Sequence, residues 1–220
     1  MPKPWKKLIV ALDITSEKRA KQIISALAVK KPKFKIGLIA YTSFGPKIID
    51  WVKTKGGSIF LDFKLYDIPN TMVETAKAFV DLGVWAFTVH VKAGEESLKI
   101  LKKEITAYSR KQKKPRPLII GVTELTSRKT SLKSVLSLAK IAKKSKIDGV
   151  VSSVWEAKKI AKDFKLLTIT PGIRKKKTND DQKRVATVKD ALREGSSFFV
   201  VGRPIINEKN CLFAAEELLK

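Results

Sequence analysis

The 220-residue sequence predicts an α/β fold, a closed (β/α)8 TIM barrel, on three observations. Short runs rich in Val, Ile, Leu and Phe recur about eight times, segments of helical periodicity separate them, and polar residues gather where the apolar runs end. Alternating strands and helices imply a parallel sheet, because each parallel connection needs a crossover. Eight such units in one compositional regime favour a barrel over the alternative, a doubly wound open sheet. No linker or low-complexity segment divides the chain, so residues 1–220 are expected to form one domain.

The first run, KLIVALD (residues 7–13), ends on Asp13. It precedes SEKRAKQIISALA, where Ser16 can cap a helix whose apolar positions recur every three or four residues. FKIGL (34–38) carries Lys35 within its strand, and SIFLDFKL (58–65) carries Asp62 and Lys64. AFTVHV (86–91) contains the only histidine, His90, and PLIIGVTEL (117–125) leads through Thr123 to Thr126. GVVSSV (149–154) supplies Ser152 and Ser153, LLTITPG (166–172) runs into a basic loop, and FFVVGRP (198–204) contains Gly202 and Arg203. In a barrel the C-terminal ends of the strands build the ligand site, so this ring of polar residues is a candidate site.

Composition narrows the chemistry. A lone Cys211 excludes an intramolecular disulfide framework, and with a single histidine no Cys/His metal cluster can be assembled; a carboxylate metal site stays open. KLIVALD is too short for a signal-peptide core and no apolar run is long enough to span a bilayer, so the chain reads as soluble and cytoplasmic, without a membrane partner. The net charge of +25 comes mostly from lysines scattered from KPWKK to RKKKTNDDQKR. Scattered lysine reads as a solvated surface, not a nucleic-acid stripe.

The third run poses the sharpest question, because LDFKLYDIPNT (61–71) places three charges where a buried strand calls for valines. Alternation puts Phe60, Asp62 and Lys64 on one face and Leu61, Phe63 and Leu65 on the other. Asp62 and Lys64 then point together into the barrel mouth. Several buried charges are tolerable only when opposite signs interleave, and Lys35 and Asp67 are placed to complete such a network. A salt bridge that merely closes the barrel end is the structural alternative.

This segment closely resembles the DxKxxDIPNT signature of the orotidine 5'-monophosphate decarboxylase family. The bare D-x-K-x-x-D pattern is shared with sugar-phosphate decarboxylases and synthases on the same barrel, whereas IPNT is typical of the nucleotide enzyme. The resemblance extends along the chain in order: IVALD, FKIG, TVHV, GVTELTS, TPGIR, DDQKRV and VVGRPI.

What the resemblance implies is removal of CO2 from C6 of a pyrimidine nucleotide with no cofactor. Lys64 would be the proton donor, with Asp62 beside the departing carboxylate and Asp67 helping to hold Lys64. Lys35 would bridge the acids and a ribose hydroxyl, and Asp13 would accept a hydrogen bond from the ribose. Thr126 matches a nucleotide contact, with Thr123 and Ser127 close enough to confuse the assignment. His90 is equally well read as a buried, hydrogen-bonded residue. Gly202 and Arg203 would bind phosphate, joined by Gln182 and Arg174 from the loop GIRKKKTNDDQKR, which resembles a closing lid. In the family the residues matching Asp67, Ile68 and Thr71 reach the neighbouring subunit's site, implying a homodimer. The chain departs from the family pattern at Asp180, at Val188 and in HVKAGEESL, which bears on loop geometry and leaves the catalytic set intact.

Overall fold

The computed structural model describes residues 4–125, 130–174 and 186–220. Eight strands follow one another around a closed parallel barrel: β1 (Leu8–Ala11), β2 (Lys33–Gly37), β3 (Ser58–Leu65), β4 (Ala86–His90), β5 (Leu118–Val122), β6 (Gly149–Val151), β7 (Leu167–Thr170) and β8 (Phe198–Val201). Pairing of β1 with β8, Ile9 opposite Val200, closes the ring and removes the open-sheet alternative. Each strand overlaps one of the apolar runs; β3 matches its run, β2 starts one residue early at Lys33, and the others are shorter than their runs.

The helices are α1 (Glu17–Ala28), α2 (Leu38–Phe44), α3 (Lys47–Thr54), α4 (Pro69–Asp81), α5 (Glu95–Lys111), α6 (Leu132–Lys144), α7 (Val154–Phe164), α8 (Val188–Arg193), α9 (Arg203–Ile206) and α10 (Cys211–Leu218). Ser16 caps α1 as its position suggests, its hydroxyl accepting the Arg19 N–H at 3.3 Å. The crossover after β2 and the segment after β8 each hold two helices, which the periodicity alone did not separate. None of the helices described is long and apolar enough to cross a membrane.

Strand alternation sorts the side chains. One parity, including Val10, Phe34, Leu61 and Phe87, packs outward against the helices. The other turns inward, where Ile9, Phe60, Ala86, Ile120, Ile169 and Val200 fill the barrel centre. Below them Trp85 and Phe198 meet edge to face at 4.9 Å, and the Lys33 ammonium lies 4.8 Å from each ring while donating to the Lys6 carbonyl. Burial pushes the pKa of Lys33 down. Among the described residues the barrel is therefore plugged at its N-terminal end and open at the opposite one.

Backbone strain is confined to one residue type. Among the described residues every non-glycine with positive φ is a lysine: Lys31, Lys64, Lys113, Lys146 and Lys165. Four of these sit in the turns that leave α1, α5, α6 and α7, positions that glycine takes after α3, α4 and α8. The fifth, Lys64, lies in β3.

Candidate active site

The open end forms a cavity of about 590 Å³, a size suited to a small-molecule ligand. Its walls are the inward parity of the strands carried past their C-terminal ends: Ala11 and Asp13, Lys35, Phe60 with Asp62 and Lys64, Val122 and Glu124, Ile169 and Pro171, Val200 and Gly202.

Four of these side chains form one row of alternating charge. Lys35 donates to Asp13 Oδ1 at 3.1 Å and stands 3.4 Å from Asp62 Oδ2, while Lys64 donates to Asp62 Oδ1 at 3.0 Å. Burial alone would lower the pKa of Lys35, but the carboxylates of Asp62 and Asp13 outweigh it and the net shift is upward. Burial would likewise raise Asp62, yet Lys35, Lys64 and the hydrogen bonds from Lys64 and Thr88 hold it below its ordinary value. Both groups are kept charged by each other.

The local backbone that presents Lys64 differs from plain alternation. β3 pairs regularly with β4 up to Leu61 opposite Phe87, then resumes with Leu65 opposite Val89, so β3 carries extra residues across this interval. Lys64 takes φ 52° there, and its backbone N–H leaves the ladder to donate to Thr88 Oγ1 at 2.8 Å. The facing of Asp62 and Lys64 into the mouth survives, but a bulge achieves it.

The other candidates divide. Gly202 lines the cavity at the start of the short helix α9, with exposed Arg203 beside it. Arg174 is buried in the wall after β7 and donates to the Ile173 carbonyl. Asp67, Ile68 and Thr71 are all exposed in this chain and do not line the cavity, and Asp67 accepts the Ile68 N–H at 2.7 Å instead of reaching Lys64. Within one chain the alternating row is thus completed by Asp13, not by Asp67. Thr126, Ser127 and Gln182 lie outside the described residues, as does most of the lid segment. The stems of that segment are joined, Arg174 N–H donating to the Ala186 carbonyl at 2.9 Å.

Some polar residues of the predicted ring do not line the cavity. Ser152 and Ser153 are buried behind it, and Thr123 is buried with its hydroxyl donating to the Val151 carbonyl at 3.0 Å, tying β5 to β6. His90 leans on Tyr66 with ring centres 5.4 Å apart and accepts the Lys92 N–H through Nδ1, the arrangement of a hydrogen-bonded structural residue. Conversely, Glu124 and Asn207 line the cavity without having been singled out, and Glu124 is held by Lys92 at 3.0 Å and Ser134 at 2.9 Å. Inward parity past the end of β5 was the available signal for Glu124.

Fold and site together define a (β/α)8-barrel enzyme with charged side chains gathered at the strand ends. The chain belongs to the orotidine 5'-phosphate decarboxylase / HUMPS family, whose model matches residues 6–218. It is 38% identical over 213 residues to the orotidine 5'-phosphate decarboxylase of Dictyoglomus turgidum, covering 90% of this chain and 87% of that protein. The crystal structure of orotidine 5'-phosphate decarboxylase from Lactobacillus acidophilus superposes with a TM-score of 0.80 at 34% identity, covering 97% of both chains. Orotidine 5'-monophosphate decarboxylase from Methanocaldococcus jannaschii, solved with the inhibitor BMP, gives 0.75 at 26% identity over 98% of this chain and 97% of that one.

Proposed function

We propose that this chain, acting as one catalytic domain in the cytoplasm, decarboxylates orotidine 5'-monophosphate to uridine 5'-monophosphate, the last step of de novo UMP synthesis, with Lys64 as the proton donor. The observation that carries this reading is the row Asp13, Lys35, Asp62, Lys64 in the cavity at the C-terminal end of the barrel. When the C6–carboxylate bond breaks, its electron pair stays on C6, a ring carbon with little resonance relief. The ammonium of Lys64 stabilises that charge and then gives its proton to C6, leaving a neutral amine that solvent reprotonates. Asp62 faces the departing carboxylate and keeps Lys64 charged and aimed. No cofactor takes part, since the charge is met where it develops.

The rest of the cavity accounts for the nucleotide. Asp13 and Lys35 are placed for ribose hydroxyls, and Gly202 with Arg203 for phosphate at the short helix after the eighth strand, a recurrent barrel position. Arg174, Gln182 and Thr126 complete the contacts on the strength of the sequence motifs. Binding energy gathered at the phosphate is then available to the distant chemistry.

Asp67, Ile68 and Thr71 are assigned to the site of a second copy in a homodimer. Their exposure supports this, as does that of the large apolar side chains of the same loop, Tyr66 at 63% and Ile68 at 66%.

The test follows the ultraviolet absorbance of orotidine 5'-monophosphate with metal-stripped protein, beside Lys64→Ala. Conversion by the parent and a loss of at least about a thousandfold in Lys64→Ala are expected. No turnover by folded parent would overturn the reading in favour of a metal-dependent sugar-phosphate lyase on the same barrel.

A further inference from the structure

Among the described residues Thr88 is the one interior hydroxyl that touches the charged row, and its surroundings make it more than a strand-forming residue. It sits on β4 with the inward parity of Ala86, 1% exposed, beneath the cavity wall. Its Oγ1 donates to Asp62 Oδ1 at 3.1 Å and accepts the Lys64 backbone N–H at 2.8 Å. One hydroxyl thus spans the two residues on which the proposed chemistry turns.

We infer that Thr88 is a positioning residue for the decarboxylation, holding the β3 bulge that presents Lys64 and orienting the Asp62 carboxylate toward it. This rests on the function proposed above. The physical argument has two parts. Lys64 at φ 52° is in a conformation that L-residues resist, and its N–H has left the strand ladder, so the bulge needs a buried acceptor on β4 to persist. Asp62 Oδ1 already accepts from Lys64 Nζ, and a second donor at the same oxygen fixes the plane of the carboxylate, which leaves Oδ2 facing Lys35 at 3.4 Å. Side chains that orient reacting groups act through geometry. A displacement near 1 Å costs on the order of a hundredfold in rate while leaving remote binding contacts in place.

The predicted signature is therefore a split between kcat and KM. Thr88→Val keeps shape and β-propensity but removes both hydrogen bonds. It is expected to lower kcat by about a hundredfold, with KM changed by less than about threefold because ribose and phosphate contacts are untouched. Thr88→Ser restores the hydroxyl and is expected to recover most of kcat. The acid limb of kcat/KM moves to higher pH in Thr88→Val, since one of the donors holding the Asp62 pKa down is gone.

The experiment is steady-state decarboxylation of orotidine 5'-monophosphate by parent, Thr88→Val, Thr88→Ala and Thr88→Ser across pH, with circular dichroism to confirm folding. Thr88→Ala, which removes the same hydroxyl without placing a methyl against Asp62, serves if the valine variant does not fold. Parental kcat in a folded variant without the hydroxyl, or a serine variant as slow as valine or alanine, overturns the inference. An inactive parent overturns the proposed function instead.

Discussion

Replacing Asp62 with Asn tests whether the charged row is held by Asp62 or merely contains it. The substitution keeps the shape but leaves two ammonium groups facing a neutral amide. At 3.4 Å to Lys35 and 3.0 Å to Lys64, and with an effective dielectric near 20, each lost attraction is about 5 kcal/mol before desolvation is subtracted. The two shares are unequal. The Lys64 side chain is 41% exposed and can turn toward water, so most of its share is screened. Lys35 is 12% exposed and cannot turn away; it keeps only Asp13 at 3.1 Å.

Removing one member of a buried ion pair costs about 3–5 kcal/mol, and the surviving Asp13 contact puts Asp62→Asn at the lower end, about 3 kcal/mol. For a chain of this size that lowers Tm by about 6–12 °C at pH 7. The pH dependence carries the sign. Asp62 has a depressed pKa in the folded protein, so its contribution is present above its ordinary value of 3.8 and is lost as pH falls through the lower folded value. Parent and variant should therefore converge in acid. Lys35, with its pKa raised, governs the other end: its contribution is present below 10.5 and is lost as pH rises through the folded value. Thermal melts by circular dichroism from pH 3 upward are the assay, with Asp13→Asn as comparison. A variant melting within about 2 °C of the parent at pH 7, or a gap that persists undiminished in acid, would refute the argument.

Two further predictions concern assembly and packing. If Asp67 serves the partner's site, mixing inactive Lys64→Ala with inactive Asp67→Asn should restore activity toward about a quarter of parental sites after subunit exchange, because each mixed dimer rebuilds one intact site; a mixture that stays inactive while exchange is demonstrated by native mass spectrometry assigns Asp67 to its own chain. Gly149→Ala should destabilise by about 1–3 kcal/mol with kcat unchanged, because a Cβ there would lie 2.6 Å from the Leu167 carbonyl oxygen, a backbone atom that β6–β7 pairing prevents from moving; a parental denaturation midpoint would show that the pairing yields more than its register suggests.

The barrel was legible because short runs rich in apolar residues recur along the chain between helical segments, and because the charges that interrupt LDFKL are too costly to be incidental. What the sequence hid was register. The alternation rule gives the correct facing for Asp62 and Lys64, but it carries no information about the extra residues in β3, which arise from pairing with β4. Thr88 was invisible for a related reason: in AFTVH a threonine is an ordinary strand former, and its partner lies on a strand more than twenty residues earlier. The available signal was the parity shared with Ala86, which puts a polar residue at an interior position. Ser152 and Ser153 misled because the strand ends at Val151, so they are buried in the turn to α7, Ser153 as its N-cap, and leave the cavity wall.

The lysines in left-handed turns have a consequence for how this molecule can change. A left-handed conformation costs an L-residue about 1 kcal/mol or somewhat more, so four such turns hold on the order of 4 kcal/mol that glycine would release. All four leave helices at the plugged end, remote from the cavity. The plugged end thus holds this strain where it does not reach the mouth. The same turns are where the protein could be hardened against heat, residue by residue, with its chemistry left alone.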